Sequence, residues 1–424
     1  MLIKMQVNSG DIGELQINVV DGNNVPIKDA RVIISRKTNE NEPLDNETTQ
    51  LEQLSTDSSG QTEVVDLDAP PLEYSLDENN DNMPYANYNV EVDAPGYESE
   101  NIDNVEILPR SLAIQNVKLK KVQGEETENI NIPPHTLYYE YPAKIPEDDI
   151  KDVNEPGEIV LSRVVVPEYI VVHDGTPSSN ARDYYVTYKD YIKNVASSEI
   201  YATWPRATLE ANILAIMSFT LNRVYTEWYR NKGYDFTITS STAYDQKWIN
   251  GRNIFESISV VVDSIFDQYL SFPDVRQPIL TQYCDGRRVT CPNWLSQWGS
   301  CNLGEQGYST LEIIRNYYGS EMYINTAEQI AGIPASWPGY DLTIGSSGQK
   351  VQQIQEQLNT IGKVYTAIGN VNVDGIYGED TQRAVRNFQK IFDLPQTGII
   401  DFATWYKISQ IYVGITRIAE GIPR

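Results

Sequence analysis

The chain has 424 residues, more than one ordinary domain needs, and its 40% apolar content is enough to build two or three cores. Its 33 basic and 59 acidic residues give a formal net charge of -26, the wrong sign for binding phosphate backbones, so we expect no nucleic-acid partner. No stretch of about 18 consecutive apolar residues occurs, so no membrane span is expected. The first residues do not have the pattern of a standard secretory signal.

Residues 1–121 are predicted to form an antiparallel β-sandwich. Segments 13–20, 30–35 and 88–93 have the apolar content or alternation of short strands, and turn sequences rich in Gly, Asn and Asp separate them. Further strands are expected after Gly60 and over 111–120. This part of the chain offers no cluster of residues typical of catalysis.

The same region resembles carboxypeptidase-regulatory or transthyretin-like domains. The resemblance is carried by Val19, Asp21, Pro26-Ile27, Ala30, Val32, Thr56-Asp57, Gly60 and Ala94-Pro95-Gly96-Tyr97. It implies a fold and no chemistry.

Residues 122–158 are predicted to be an acidic, Pro-containing linker. Exposed stretches that pack poorly are where proteases cut, so this linker is either a plain spacer or a processing site. We expect a cut near Val122-Gln123, because this position follows the last predicted strand and precedes a polar run.

Residues 159–335 change to a mixed α/β pattern, with strand-like segments at 158–166 and 169–173. Helices are predicted from Tyr188 to Ile200 and over about 206–230, and Pro205 suits the first turn of the second helix.

An acidic side chain on an apolar helical face is the most informative feature of this unit. Tyr188, Ile192, Val195 and Glu199 are spaced by four, three and four residues and therefore share one face. Burial raises the pKa of a carboxyl group, as a general acid requires. A structural alternative has Glu199 accepting from free amides of the next helix, across 203–205. The pattern alone favours that alternative.

Residues 342–412 are predicted to form a unit of three helices, followed by a tail over 413–424. The apolar faces of these helices carry Val351, Ile354, Leu358 and Ile361, then Ala384, Val385, Phe388 and Ile391, and finally Phe402, Trp405 and Ile408. Asp401 is the expected N-cap of the third helix.

The cysteine and histidine content argues against a metal site. Cys284, Cys291 and Cys301 match no common zinc spacing, and the chain has only His135 and His173. We expect no metal and no cofactor. Three buried thiols are favoured over one disulfide and one free thiol.

Two ordered motifs in the central unit resemble the stage II sporulation protein D family. The first runs Asn194-Val-Ala-Ser-Ser-Glu-Ile and continues with Trp204-Pro-Arg-Ala-Thr-Leu-Glu-Ala, with Thr208 in place of an alanine. The second comprises Leu295-Ser-Gln-Trp-Gly-Ser, Glu305-Gln-Gly-Tyr-Ser and Ile313-Ile-Arg-Asn-Tyr-Tyr-Gly. The resemblance covers about 160–330 and implies lytic transglycosylase activity on peptidoglycan glycan strands.

The same resemblance implies a set of site residues. Glu199 takes the position of the catalytic acid. Ser296 and Gln297 take the position of the family's Ser-Gln pair in the second motif, which makes them candidate substrate ligands. The segment 241–248 is similar to a substrate groove, which makes Thr242, Asp245 and Gln246 candidate substrate ligands. Zinc-binding members have His and Cys in that segment, where this chain has Ala243, Tyr244 and Asp245.

The C-terminal unit resembles type 1 peptidoglycan-binding domains. The resemblance is carried by Asp374-Gly-Ile-Tyr-Gly-Glu-Asp-Thr-Gln-Arg-Ala-Val-Arg-Asn-Phe-Gln and by Thr397-Gly followed by Asp401 and Thr404-Trp405. It implies an anchor that raises the local concentration of the chain on an insoluble polymer.

The three regions together resemble SleC-type spore cortex-lytic enzymes of clostridia. That resemblance implies a zymogen located at the spore cortex and outer layers, processed by a subtilisin-like germination protease and acting on cortex peptidoglycan during germination. The fold class expected for the whole chain is multidomain α+β.

One carboxyl group suffices for such a lytic transglycosylase, whereas a hydrolase needs a second one. Two alternatives stay open at this point. The first is a muramidase that uses Asp245 or a positioned water, and the second is a non-catalytic wall-binding activator of another hydrolase.

Overall fold

The computed structural model describes residues 10–36, 49–122, 127–151, 161–332 and 337–416. Over these residues the chain is a mixed α+β structure with eight helices and several sheets, as the predicted fold class requires. Gln123, on one side of the expected cut, lies outside the described residues. Within the described ranges, no helix combines the length and the apolar character that crossing a membrane would need.

The N-terminal region is built from short strands that bury alternate side chains. In the first strand Leu15, Ile17 and Val19 are fully buried while their neighbours are not. The strands are β1 Asp11–Asp21, β2 Arg31–Arg36, β3 Thr49–Ser55, β4 Val65–Ala69, β5 Ala86–Asp93, β6 Glu100–Ile107, β7 Leu112–Leu119 and β8 Glu128–Asn131.

These strands form two mixed sheets rather than purely antiparallel ones. One sheet contains β4, β1 and β7, and the other has the order β3-β2-β5-β6-β8; β6 packs against strands of the first sheet. The expectation of antiparallel pairing is wrong at two places, because β1 pairs with β7 and β6 pairs with β8 in parallel. Parallel neighbours need a long connection, and both pairs are joined through enough intervening chain to supply one.

The predicted linker is a packed segment over its described part. Residues 127–151, which we call the strap, begin with β8 and then run along the central unit without further strands or helices. Ile132, His135 and Leu137 of the strap are buried. The composition of the strap predicted that it would be exposed. Its backbone amides and a few of its side chains instead form hydrogen bonds with the central unit.

The central unit surrounds one long buried helix, α2, which packs against four other helices. Its elements are β9 Val165–Val166, β10 Tyr169–His173, β11 Asp183–Thr187, α1 Tyr188–Glu199, α2 Arg206–Tyr225, β12 Ile238–Thr239, β13 Ile254–Phe255, α3 Glu256–Ile265, β14 Gln268–Ser271, β15 Tyr283–Cys284, β16 Leu295–Ser296, α4 Gln297–Glu305, α5 Thr310–Tyr318, β17 Tyr323–Thr326 and β18 Gln329–Ile330. Both helices predicted here are present, although α2 ends at Tyr225 rather than near residue 230.

The cysteines differ from the favoured expectation of three thiols. Cys284 and Cys291 form a disulfide, and Cys301 is a buried free thiol. The bridge closes the loop that follows β15, so it fixes the backbone next to Tyr283.

The C-terminal unit contains the three predicted helices, α6 Gln349–Gly362, α7 Glu379–Ile391 and α8 Phe402–Thr416. The Asp401 carboxylate accepts from the Thr404 amide at 2.8 Å, which is the predicted N-cap contact. Because α8 continues to Thr416, the first part of the expected tail is helical. The unit contacts the central unit through the rings of Phe402 and Phe266, whose centroids are 5.4 Å apart.

The N-terminal sheets and the central unit share a strand and a buried ion pair. β13 adds to the edge of the first sheet, antiparallel to β7. Next to it, the Asn253 side chain accepts from the Glu106 amide and donates to the Glu106 carbonyl, both at 3.0 Å. The Arg252 guanidinium lies 2.5 Å from the Glu106 carboxylate, and both side chains are essentially inaccessible to solvent. The two regions are therefore assembled as one core.

We predict that Arg252→Met lowers the free energy of unfolding by about 3–5 kcal/mol, because the Glu106 carboxyl is left buried without its cation. Urea unfolding followed by circular dichroism measures the loss. Arg206→Met is the matched control, since its ion pair with Glu210 is on the surface and is worth about 1 kcal/mol or less. Equal losses in the two variants would contradict the account of the buried pair.

Candidate active site

Glu199 is the last residue of α1 and has no solvent-exposed surface. Its helical neighbours on the predicted stripe, Tyr188, Ile192 and Val195, are all buried as well. The spacing of these residues thus places a carboxyl group inside the central unit.

Two donors from distant parts of the chain hold the Glu199 carboxyl group. The Lys247 backbone N–H donates to Oε1 at 2.7 Å, and the Tyr283 hydroxyl donates to Oε2. The structural alternative, in which Glu199 accepts from amides at the start of α2, is not what the structure has. The amides of Thr208 and Leu209 instead donate to the Pro205 carbonyl.

Burial raises the pKa of Glu199 above its ordinary value, because desolvation penalises the ionised carboxylate. The positive charge of Lys144, the Tyr283 hydroxyl and the Lys247 amide all oppose this rise. Lys144 belongs to the strap and is itself buried, with its ammonium 4.1 Å from the centre of the Tyr283 ring. Glu199 therefore has the raised pKa that a proton donor needs and groups that also stabilise its anion.

Asp245, a predicted substrate ligand, is fully buried and accepts four hydrogen bonds. Arg223 Nε donates to Oδ1 at 2.7 Å, while the Tyr229 hydroxyl donates to Oδ2 at 2.6 Å. The amide and hydroxyl of Thr239 also donate to Oδ2, at 2.9 and 2.7 Å. Asp245 therefore anchors the loop after β12 and reaches no substrate in this form.

Gln246, also a predicted ligand, is equally internal. Its Oε1 accepts from the hydroxyls of Tyr191 and Thr220, at 3.0 and 2.9 Å, and its Nε2 donates to the Ile216 carbonyl at 3.0 Å. These bonds join α1 to α2. Gln246 thus positions the loop that carries Lys247 and does not contact a groove.

Ser296 and Gln297 stand at the start of α4. The Ser296 hydroxyl accepts from the Gly299 amide at 3.0 Å and so caps the helix. Gln297 is fully buried and its Nε2 donates to the backbone carbonyl of Glu199 at 3.1 Å. Gly286 passes so close that a Cβ there would lie 1.8 Å from Ser296 Oγ. Gln297 thus holds the end of α1, whereas Ser296 caps α4.

Thr242, a predicted ligand, lines a cavity with a volume of about 700 Å³. The central unit contributes Ser241, Thr242, Lys247 and Arg288 to its wall. The strap contributes the other lining residues: Pro133, Pro134, Thr136, Tyr139, Glu140, Tyr141 and Pro142. Residues of the predicted groove segment and of the strap thus line the same open cavity.

Tyr141 lines this cavity and is close enough to Glu199 to interact with its charge. Its side chain lines the cavity and is almost fully buried, and burial raises its pKa, as does the nearby negative charge of Glu199. The Thr136 amide also donates to the Ser198 carbonyl at 3.3 Å. The strap therefore lies directly over the end of α1.

Sequence reasoning missed Tyr283, Lys247, Lys144 and Tyr141. Lys247 was within reach, because it directly follows Gln246 in the quoted groove segment. The other three lie outside the motifs, and Tyr283 meets Glu199 from 84 residues away. Only the tertiary structure brings them together.

Comparison with protein families finds one match, described as "Putative peptidoglycan binding domain", over residues 347–408. These residues lie inside the helical unit predicted at 342–412, so the chain carries a peptidoglycan-binding domain at this end. No curated protein matches the chain.

Solved structures show similarity to parts of the chain. The SleB N-terminal domain is 28% identical, with a TM-score of 0.16, over 18% of this chain and 99% of its own. The Bacillus anthracis TIE protein is 17% identical, with a TM-score of 0.17, over 26% of this chain and 17% of its own. The 3-chlorocatechol 1,2-dioxygenase of Rhodococcus opacus 1CP is 16% identical, with a TM-score of 0.19, over 28% and 62%. These local similarities assign no activity.

We predict that Tyr283→Phe raises the pKa of Glu199 further, because the lost hydroxyl donates to the carboxylate and stabilises the ionised form. The ¹³C chemical shift of the Glu199 carboxyl group, followed against pH by NMR, measures this change. Tyr318→Phe is the control, since that buried hydroxyl donates to the Gln282 carbonyl instead. A lower Glu199 pKa in Tyr283→Phe would contradict the assigned hydrogen bond.

Proposed function

We propose that the chain is a lytic transglycosylase that cleaves the bond between N-acetylmuramic acid and N-acetylglucosamine in cortex peptidoglycan during spore germination. The observation that carries the proposal is Glu199, a buried carboxyl group whose pKa burial raises, next to a cavity. The peptidoglycan-binding domain at 347–408 supports the same polymer as substrate.

In this mechanism Glu199 acts twice. The protonated carboxyl first transfers its proton to the bridging oxygen as the bond from that oxygen to muramic C1 breaks. The resulting carboxylate then removes the proton of the muramic C6 hydroxyl as its oxygen bonds to C1. The products are a free 4-hydroxyl group and a 1,6-anhydro end, and Glu199 is protonated again. Tyr283 and the Lys247 amide support the carboxylate between the two steps.

The engagement of Asp245 inside the protein favours this reaction over hydrolysis. A glycoside hydrolase needs a second carboxylate as nucleophile or as a base for water. Asp245, the residue considered for that role, already accepts four hydrogen bonds inside the protein. A muramidase would have to rely on a water positioned by other groups.

We predict that Glu199→Gln lowers the cleavage of isolated cortex by about 10²–10⁴-fold, because the amide donates no proton to the leaving oxygen. The test uses chain activated by a subtilisin-like protease and mass spectrometry of the soluble fragments. Native chain should release anhydromuramic ends, and both forms should still sediment with cortex through the C-terminal domain.

Glu305→Gln on the exposed side of α4 is the matched control and should cleave normally. Reducing muramic ends would assign the chain to the muramidases instead. If the native chain binds cortex but releases no fragments, the result would support the alternative of a non-catalytic wall-binding activator.

Latency of the uncut chain is the second part of the proposal. Glu199 cannot touch a glycan while it is fully buried, and strap residues line the cavity next to it. Lys144 and Tyr141 of the strap lie against the site, and Lys144 Nζ donates to the Asp245 carbonyl at 2.8 Å. A protease that lets the strap leave would open Glu199 to the cavity.

We predict that Tyr141→Ala raises cortex cleavage by the uncut chain about tenfold or more, because it enlarges the cavity next to Glu199. Release of muropeptides from isolated cortex, without protease, measures the activity. Ile145→Ala is the matched control, since Ile145 is on the same strap, is 43% exposed and is not among the residues that line this cavity. Equal activities of the two variants would argue against Tyr141 as the cover.

A further inference from the structure

The cavity beside Glu199 is positively charged in a strongly acidic protein. Lys247 and Arg288 line it from the central unit, and Glu140 is the acidic side chain on its strap wall. The chain as a whole has a net charge of -26, so two cations on one small cavity are contrary to its general composition. The positive charge of this cavity therefore favours the binding of an anion.

Lys247 is the cation available to a ligand. Its side chain is half-buried and forms no ion pair within 4 Å among the described residues, although the charges of Asp174 and Glu199 lie near enough to raise its pKa against the effect of burial. Arg288 is engaged, since its two terminal nitrogens donate to the Leu137 and Tyr138 carbonyls of the strap at 2.7 and 2.6 Å. A half-buried ammonium group without a partner is stabilised by any anion that binds next to it.

The position of Lys247 ties this anion to the reaction site. Its backbone amide donates to the Glu199 carboxyl at 2.7 Å, so its side chain starts directly beside the proposed proton donor. An anion on this side chain would therefore be fixed close to the glycosidic oxygen that Glu199 protonates. When the strap leaves, Arg288 also loses its two carbonyl partners and faces the same space.

We propose that Lys247 binds a carboxylate of the peptidoglycan stem peptide and so selects which muramic residue is cut. The proposal rests on the proposed function for its substrate. The sugar rings of the glycan are uncharged, whereas the stem peptides on muramic acid have free carboxylates close to the glycosidic bond. Lys247 is thus a specificity residue for peptide-bearing positions of the strand.

Calorimetric titration of the full chain with a small peptide tests this assignment. The probe is the tripeptide L-alanyl-γ-D-glutamyl-diaminopimelate, compared with its fully amidated form. Native chain should bind the free acid about 10- to 100-fold more tightly than the amide, the range expected for a charged hydrogen bond. Lys247→Met should lose that difference, and Lys247→Arg should restore most of it.

Lys232→Met is the matched control, because this lysine packs over the Trp228 ring away from the cavity. It should bind the free tripeptide as native chain does. The proposal is overturned if Lys247→Met binds the free acid as tightly as native chain, if native chain prefers neither peptide, or if inorganic phosphate competes equally well. Since binding is measured without cleavage, these outcomes are separate from a failure of Glu199→Gln to reduce activity.

Discussion

The buried carboxyl group of Glu199 is the constraint around which the central unit is organised. A carboxylate removed from water is costly unless hydrogen bonds and a nearby cation replace its hydration. The replacements come from three separate segments: the loop with Lys247, β15 with Tyr283, and the strap with Lys144. Asp245 and Gln246 make no contact with a groove, but they hold the Lys247 loop against α1 and α2. The site therefore exists only in the fully assembled fold.

The strap is fastened to this assembly by charges that neutral pH does not disturb. Arg223 on α2 lies 2.6 Å from Glu147, and Lys151 lies 2.8 Å from the same carboxylate. Burial alone would raise the pKa of Glu147, but Arg223 and Lys151 lower it to about 2. A carboxyl group whose pKa is lowered by folding stabilises the folded state when the pH is above the ordinary pKa of that group. This contribution is lost as the pH falls towards 2. In the proposed latent form, mild acid would therefore not release the strap, and proteolysis is the more effective trigger.

The parts predicted from sequence are those whose information is local. Helix α1 and helices α6 to α8 have apolar faces with helical period, and Asp401 is an N-cap residue. The sequence therefore predicts where these helices lie. The stripe through Val195 also placed Glu199 inside. The strap has no such period. Its burial depends on isolated side chains and on backbone amides that bond to distant parts of the chain, such as the Thr136 amide to the Ser198 carbonyl and the Ile145 amide to the Ala243 carbonyl. The same reason hides Tyr283, the addition of β13 to the N-terminal sheet and the inward orientation of Gln246.

The strap also couples the N-terminal sheets to the site. Its first residues form β8, which pairs with β6, while its later residues lie over Glu199. A cut near Val122-Gln123 would leave the strap joined to the central unit and β8 still in the sheet. The β13–β7 pairing and the Glu106–Arg252 ion pair would also remain. Separation of the N-terminal region and exposure of Glu199 are thus one event only if the strap leaves together with its sheet. In the proposed zymogen this requires a break on the C-terminal side of Lys144, beyond the residues that cover the carboxyl group.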